Sequence, residues 1–286
     1  MRKVYIFLAV ITLASNYVKA QEDLLDILNS EQTEEVNTTL AIFKGARLIN
    51  GHTIVTRKMG ELEFVISHRF GRINTGIDEF FGLDGANVRF SLEYGITDNL
   101  TAGIGRNSFE KVYDGFLKYG LLKQSTGEKN MPISLTAFSS MAIRTLKDPD
   151  FTEDDFNSKV SYTHQVLIAR KFNDKFSFQL APTYVHRNKV LENQENDIIA
   201  LGIGGRMKLN TRVSLNAEYY YRLTEELDAS YKDSLGVGVE IETGGHVFHL
   251  NFTNSRSMVE RGFITETDGN FFKGDIHFGF NISRVF

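Results

Sequence analysis

The last fifteen residues of the chain alternate between two kinds of side chain. The even positions from Phe272 to Phe286 are apolar, aromatic or glycine except at Arg284, whereas the odd positions from Lys273 are mostly polar or small. This period of two is that of a β-strand with one apolar face, and no helical period fits it. The pattern therefore predicts a final strand over residues 272–286.

The same alternation recurs upstream. It is clearest in four segments: Leu62–Phe70, Val88–Tyr94, Phe176–Tyr184 and Val213–Tyr221. Weaker examples fall near 100–106, 112–122, 132–145, 159–172, 197–209, 234–243 and 246–255. These segments predict about twelve strands of about 8–14 residues, the length that a tilted strand needs to cross the hydrocarbon layer.

The connections between these strands also alternate, between short and long. Short turns rich in Asn, Asp or Gly are predicted at 97–99, 173–175, 210–212 and 243–245, with a somewhat longer one at 124–130. Long, charged connections are predicted at 71–84, 146–158, 187–196, 223–233 and 254–271. In an outer-membrane barrel the short turns face the periplasm and the long loops face outward, and an even number of strands returns Phe286 to the periplasm.

The predicted fold is an all-β, transmembrane, antiparallel up-and-down β-barrel over residues 61–286. A soluble β-sandwich or lipocalin-like barrel would alternate too, but its apolar face would point inward. The large apolar faces, the terminal aromatic residue and an export signal favour the membrane barrel. No later segment resembles a membrane helix, and the mean hydropathy of −0.22 suits a barrel because its lumen-facing residues are polar.

The export signal is predicted over residues 1–20. Arg2 and Lys3 precede an apolar run from Val4 to Leu13, and Ala20 ends a small-residue cleavage site. The run is too short to span a bilayer as a helix, which needs roughly 20 apolar residues. Cleavage after Ala20 would leave 266 residues with a net charge of −7, which argues against nucleic-acid binding. The absence of cysteine excludes a disulfide framework and a lipidated cysteine.

Residues 21–60 form a separate N-terminal leader. Residues 23–29 suit one or two turns of amphipathic helix, and residues 30–39 are polar. Residues 41–57 are predicted to enter the lumen as a plug or to add a strand. The alternative is a disordered periplasmic leader.

Several segments resemble an uncharacterised family of bacterial membrane-bound β-barrel proteins. The resemblance rests on GELEFVISHRFG at 60–71, on FFGLDGANVRFSLEYGITDNLTAGIGR at 80–106, and on RLINGHTI at 47–54. It implies the barrel fold, but no catalytic or binding residue is carried over from it. The chain terminus at Phe286 also resembles the signal read by the outer-membrane barrel-assembly machinery, so this machinery and outer-membrane lipid are the expected partners.

No motif in the sequence indicates catalysis, a cofactor or a metal site. There is no HExxH motif and no thiolate cluster, and the glycine pairs near 202–205 and 236–238 lack nucleotide-binding spacing. Ser67 and His68 are adjacent, so they point to opposite faces of a strand and cannot form a dyad. His249 and His277 are predicted to lie on the lumen face, where they could approach each other. The sequence offers no third ligand beside them, so they are expected to be hydrogen-bonding residues and not a metal site.

The charged residues that fall on the inner face by parity are the candidate lumen lining. They are Glu63, Arg69, Arg89, Glu93, Asp114, Lys118, Arg206, Glu218, Arg222, Glu240, Asp275 and His277. Because both signs of charge are present, the lumen is expected either to be held together by ion pairs or to form a narrow, weakly selective pore. A barrel of about eight strands has a filled interior and one of 16 or more has an open channel, so a barrel of about twelve strands fits either alternative.

Three functions follow from this architecture. The first is a narrow passive channel or small-solute uptake porin, with an unknown solute. The second is a structural or binding barrel that acts through its outer loops, especially 254–271. The third, a membrane-embedded hydrolase, has the least support, and the expectation is that the protein is not an enzyme.

Overall fold

The chain folds into a closed barrel of twelve antiparallel strands. The computed structural model describes residues 36–146, 155–224 and 230–286, so the predicted signal peptide and residues 21–35 lie outside the described residues. The strands of the barrel are β1 Leu62–Arg72, β2 Ala86–Thr97, β3 Leu100–Asn107, β4 Val112–Leu122, β5 Ser134–Arg144, β6 Val160–Lys171, β7 Phe176–Arg187, β8 Asp197–Lys208, β9 Val213–Arg222, β10 Ser234–Thr243, β11 His246–Thr253 and β12 His277–Val285, and Asn37–Thr38 pairs separately with Ser125–Thr126. The predicted barrel fold and strand number are confirmed.

Each strand pairs with its neighbours in chain order, and β12 closes the barrel against β1. In that seam Ile282 lies opposite Ile66. Beyond it, the Phe286 amide donates to the carbonyl of Leu62 at 2.8 Å. Because the strand number is even, both chain ends of the barrel lie at one end, here called the terminal end. The opposite end is called the loop end.

The wall of the barrel is apolar outside and charged inside. Phe90, Tyr94 and Ile104 face outward with 49%, 48% and 65% of their surface exposed, whereas Arg89 and Glu93 are buried inside. A soluble barrel has the reverse arrangement, because apolar side chains leave water on folding. The outward apolar face therefore excludes the lipocalin-like alternative and suits contact with lipid.

The connections follow the predicted alternation with one exception. At the terminal end they cover 98–99, 123–133, 172–175, 209–212 and 244–245; at the loop end they cover 73–85, 108–111, 145–159, 188–196, 223–233 and 254–276. The four-residue connection 108–111 is short because Glu110 and Lys111 both adopt left-handed backbone angles, with φ of 54° and 51°. Turns of that kind usually contain glycine or asparagine, so the sequence gives little sign of this one.

The final strand is shorter than its alternation predicts, because it begins at His277 and not at Phe272. Phe271–Lys273 form a 3-10 turn, whose first turn is capped by the Asn270 side chain accepting from the Phe272 amide. Gly274 then adopts a left-handed conformation with φ of 87°, which an extended strand does not allow. Asp275 therefore lies in a loop and not on the barrel wall.

The single α-helix of the described residues, α1, spans Glu260–Thr265 in the connection between β11 and β12. No helix in the described part of the chain is long and apolar enough to cross a membrane.

Candidate functional site

Residues 41–57 fill the lumen of the barrel and are here called the plug. Ile42, Phe43, Leu48 and His52 of the plug are buried against the inner wall. The imidazole of His52 lies between inward-facing aromatic rings, with its centroid 4.5 Å from that of Phe116. In this structure the segment therefore lies inside the barrel and is not one of its wall strands.

The plug is a hairpin that is inserted from the terminal end. Its tip is a tight turn in which the Leu48 amide donates to the carbonyl of Gly51 at 2.9 Å. At the start of the hairpin the Thr39 amide donates to Gln124 in the β4–β5 connection, 2.8 Å away. After the hairpin the Arg57 amide donates to Thr101 near the start of β3, also at 2.8 Å. Both arms therefore leave the lumen at the same end.

The tip of the plug is held by one carboxylate. Three consecutive backbone amides, those of Ile49, Asn50 and Gly51, donate to the two oxygens of Glu218 at 3.1, 2.7 and 3.1 Å. Glu218 lies in the middle of β9 and is buried. Successive amides pointing at one anion form a strong, charge-assisted site, so this contact fixes the depth of the plug.

Gly51 allows the tip to approach the wall closely. A β-carbon at this position would lie 2.1 Å from the hydroxyl oxygen of Tyr220. Any other residue would therefore displace either the tip or Tyr220. The Asn50–Gly51 pair is a common turn signal, and it is the feature of the sequence that could have located the tip.

Other wall residues bind the backbone or polar groups of the plug around its circumference. Lys118 donates to the carbonyl of Val55 at 2.9 Å, and Asn281 donates to that of Ile49 at 3.0 Å. Arg69 donates to the side-chain oxygen of Asn50 at 2.8 Å. Further contacts come from β5, β7 and β11: Thr136 with Ile54, Gln179 with His52 and Ile54, and His249 with Leu48. The plug is thus bound by strands on all sides of the lumen.

Ten of the twelve charged residues assigned to the lumen by parity are buried inside the barrel. They are Glu63, Arg69, Arg89, Glu93, Asp114, Lys118, Arg206, Glu218, Glu240 and His277. Arg222 ends β9 at the rim and lies 3.5 Å from Asp233. Asp275 does not lie on the inner wall, because residues 271–274 form a turn and the final strand begins only at His277. The Asp275 carboxylate accepts hydrogen bonds from the Asn270 amide and from the Asn74 side chain.

Many of the inner charges are paired along the wall. Arg89 lies 2.5 Å from Asp114, and Arg206 lies 2.8 Å from Glu240. Lys118 lies 3.3 Å from Glu93. Pairing offsets much of the cost of burying these charges, which would otherwise be large. The lumen therefore has the ion-paired character that the mixed signs predict, with the plug packed inside it.

The long connection between β11 and β12 enters the lumen from the loop end and packs against its wall. The hypothesis that loop 254–271 engages a partner outside assumed an outward loop, but Met258, Val259, Phe263 and most of its other residues are buried. Phe263 and Ile264 of α1 pack in an apolar cluster with inward-facing residues of β7, β8 and β9, which are Val185, Ile198, Ala200 and Tyr220. Residues 254–267 are here called the lid.

The lid and the plug meet in the lumen. Arg47 of the plug lies 3.0 Å from Glu260 of the lid, and His52 lies 3.5 Å from the same carboxylate. All three side chains are almost fully buried. Neither Arg47 nor Glu260 could be assigned from the sequence, because neither lies in an alternating segment.

The lumen histidines bind separate carbonyl groups. His249 Nδ1 lies 3.1 Å from the carbonyl oxygen of Leu48, and His277 Nδ1 lies 2.8 Å from that of Phe70. The described residues contain no group of three side chains suited to hold a metal ion.

Ser67 and His68 point to opposite faces of β1, as their adjacency predicts: Ser67 is buried inside, and His68 stacks outside on Phe280. A different serine–histidine contact lies on the outer surface, where Ser139 Oγ is 3.0 Å from His164 Nδ1. Within the described residues, no carboxylate lies close enough to His164 to complete a catalytic triad.

Solved structures with a similar fold include a porin and an outer-membrane channel. The NanC porin matches with a TM-score of 0.50 and 8% identity, over 78% of this chain and 98% of its own. The COG4313 outer membrane channel from Pseudomonas putida F1 matches with a TM-score of 0.50 and 13% identity, over 81% of this chain and 97% of its own. At such identities the likeness shows a shared fold. No curated protein matches the sequence.

The family is shown by the sequence itself. Residues 43–286 match the model of a family described as a membrane bound beta barrel domain, DUF5777. The match begins inside the plug and continues through β12, so it covers the plug hairpin from Phe43 onward and the whole barrel. This chain therefore belongs to the DUF5777 family of membrane-bound β-barrel domains.

Proposed function

We propose that the protein is an outer-membrane channel for small polar solutes, closed at rest by its own N-terminal segment. The observation that carries the proposal is the seating of the plug, whose tip is held by a single wall carboxylate while both arms leave at the terminal end. A hairpin held in this way can be withdrawn without threading the chain through the barrel. The polar lumen and the porin-like fold support the same function.

The cellular setting is part of this proposal. A signal peptide cleaved after Ala20 would deliver the chain across the inner membrane, and the barrel-assembly machinery would insert it with the aid of β12. The short turns and the plug would then face the periplasm. The channel has no enzymatic role in this proposal, and the Ser139–His164 contact is a polar pair on the lipid-facing wall.

Solute entry into liposomes tests the proposal. We expect liposomes that contain a variant lacking residues 21–57 to swell in a pentose solution several-fold faster than liposomes with the full mature chain, because removing the plug opens the lumen. A large dextran should enter neither. The matched control lacks residues 21–35 only, which removes none of the contacts described above, and it should behave like the full chain. Swelling of the 21–57 deletion at the rate of protein-free liposomes would refute a channel.

A further inference from the structure

The outer wall of the barrel has a groove of about 530 Å³ across its first strands, β1 to β5. It is here called the outer groove. All five strands lie within the described residues. The outward-facing side chains that line the groove are apolar or aromatic, with the single exception of Arg106. Its volume is within the range of about 300–1,000 Å³ found for small-molecule sites.

The outer groove lies between two rows of side chains that run across the strands. The register of the barrel places in the first row Leu92, Ile104, Gly115 and Met141. It places in the second row, which is nearer the loop end, Phe90, Arg106, Tyr113 and Ile143. The groove is therefore bounded by apolar side chains on both sides, with one cation in the row nearer the loop end.

A gap in the first row deepens the groove at Gly115. Asp114 and Phe116, on either side of this glycine in the chain, are buried inside the barrel, so Gly115 faces outward. A β-carbon added there would have only one neighbouring atom within 4 Å, the carbonyl oxygen of Gly103 at 3.9 Å. The space outside Gly115 is thus open, and it is flanked by Ile104 and Met141.

Arg106 lies close to the loop end of this wall, as the penultimate residue of β3, and is exposed. Its Nε donates to the hydroxyl of Tyr113 at 3.2 Å, and its guanidinium carbon lies 5.5 Å from the centre of that ring. Among the described residues no carboxylate forms an ion pair with Arg106. Asp114 also borders the groove, but its carboxylate points inward and pairs with Arg89.

An arginine without an acid partner on a lipid-facing wall calls for an anion from the membrane. A charge on this face costs most at the midplane of the bilayer and little near its interfaces, where the headgroups lie. A guanidinium group binds phosphate through two parallel hydrogen bonds. Tyr113 takes only one of the N–H donors of Arg106, so the others are available to a phosphate.

From this arrangement we propose that the outer groove is a binding site for one membrane lipid with an anionic phosphate headgroup. An acyl chain lies in the apolar gap beside Gly115, and the phosphate accepts hydrogen bonds from Arg106. The apolar groove and the cation at its loop-end side match the two parts of such a lipid. The proposal requires a membrane-bound barrel, which the family match shows, and it stands independently of conduction.

Quenching of tryptophan by brominated lipid tests this site in liposomes. The chain has no tryptophan of its own, so Leu117→Trp, two positions beyond Gly115 on the same outward face, provides a unique reporter. The matched reporter is Ile203→Trp, which lies two positions before the outward-facing Gly205 of β8, away from the groove. Each reporter is placed in the full mature chain, and both lie near the middle of their strands.

The liposomes consist of phosphatidylcholine with an increasing fraction of phosphatidylglycerol whose acyl chains are brominated. We expect half-maximal quenching of Leu117→Trp at a several-fold lower fraction of this anionic lipid than quenching of Ile203→Trp, because the groove concentrates the lipid beside the first reporter. Brominated phosphatidylcholine, whose headgroup has no net charge, should quench both reporters equally.

Two variants made with the Leu117→Trp reporter then separate the headgroup contact from the chain contact. Arg106→Gln should raise the half-maximal fraction of anionic lipid about tenfold, the change that corresponds to one charge-assisted hydrogen bond. Gly115→Leu fills the gap without a steric clash and should reduce quenching to the level found with Ile203→Trp.

Each variant has a matched control on another part of the outer wall. Arg170→Gln removes an exposed arginine near the terminal end whose guanidinium carbon lies 5.1 Å from the ring centre of Phe172. Gly205→Leu fills an outward-facing position where a β-carbon would meet nothing closer than 3.8 Å. Neither residue lines the groove, so both controls should leave quenching of Leu117→Trp unchanged.

Three outcomes would overturn the proposal: equal quenching of the two reporters by the anionic lipid, equal quenching of Leu117→Trp by the two brominated lipids, or equal weakening by Arg106→Gln and Arg170→Gln. The last would mean that the charge of the whole surface attracts the lipid and that the groove does not. Because no transport is measured, a barrel that shows the lipid preference but does not conduct would refute only the channel. A conducting barrel without the preference would refute only this site.

Discussion

Replacing Glu218 by leucine is expected to undock the plug and to raise the labelling rate of a cysteine placed in it by roughly 100-fold. The substitution leaves three buried backbone amides without an acceptor, and each costs about 1 kcal/mol or more. A total of about 3 kcal/mol corresponds to roughly 100-fold in the docking equilibrium. The chain has no cysteine of its own, so Ala46→Cys provides a unique reporter that is buried when the plug is docked.

The measurement is the rate at which a hydrophilic maleimide reacts with Ala46→Cys in the refolded protein. Glu218→Gln keeps one accepting oxygen and should give an intermediate rate. Asp114→Asn is the matched control, because Asp114 is also a buried lumen carboxylate but its hydrogen bonds go to Arg89 of the wall and not to the plug. Labelling that is equally slow in Glu218→Leu and in Asp114→Asn would mean that Glu218 does not hold the plug.

The second large effect is expected at the contact between plug and lid. Arg47→Ala removes the closest cationic partner of the buried Glu260 carboxylate, and Glu260→Ala removes the ion-pair partner of the buried Arg47 guanidinium. Breaking a buried ion pair by removing one partner costs about 3–5 kcal/mol. Each single variant should therefore raise the labelling rate at Ala46→Cys by roughly 100-fold or more.

The double variant, Arg47→Ala with Glu260→Ala, separates a direct contact from two unrelated losses. Removing both partners leaves no uncompensated charge, so its labelling rate should lie far below the product of the two single effects. If the two effects simply multiply, the side chains act independently, and the lid is not joined to the plug by this pair. If instead the two effects are coupled, a ligand that moves the lid could loosen the plug.

The barrel could be predicted from the sequence because its determinants are local. Contact with lipid on one face and with the lumen on the other imposes a period of two, so the strand near 112–122 was predicted with the bounds that β4 has in the structure. The same parity placed Glu218 and Lys118 inside. The alternating pattern gives a wrong strand prediction at residues 272–275. There the apolar and polar residues alternate, but the Asn270 cap and the left-handed Gly274 fold the backbone into a turn.

The plug and the lid could not be predicted in the same way, because neither has a periodic pattern. Residues 41–57 mix apolar and basic residues, which suits a plug, a strand or a leader equally. The lid contains Val259, Phe263 and Ile264, but their burial depends on a lumen that many separate strands build. Arg47 and Glu260 are 213 positions apart in the chain, so only the closed barrel brings them together.

The most direct test of a channel closed by its own plug is single-channel conductance in planar bilayers. The full mature chain, the 21–35 deletion and the 21–57 deletion are compared under the same salt and voltage. We expect little or no conductance from the first two and a steady, several-fold larger conductance from the third, because only the third lacks the hairpin bound to Glu218. Silence from all three would contradict the channel and indicate a lumen filled by its own wall and lid, whereas equal conductance from all three would contradict the plug.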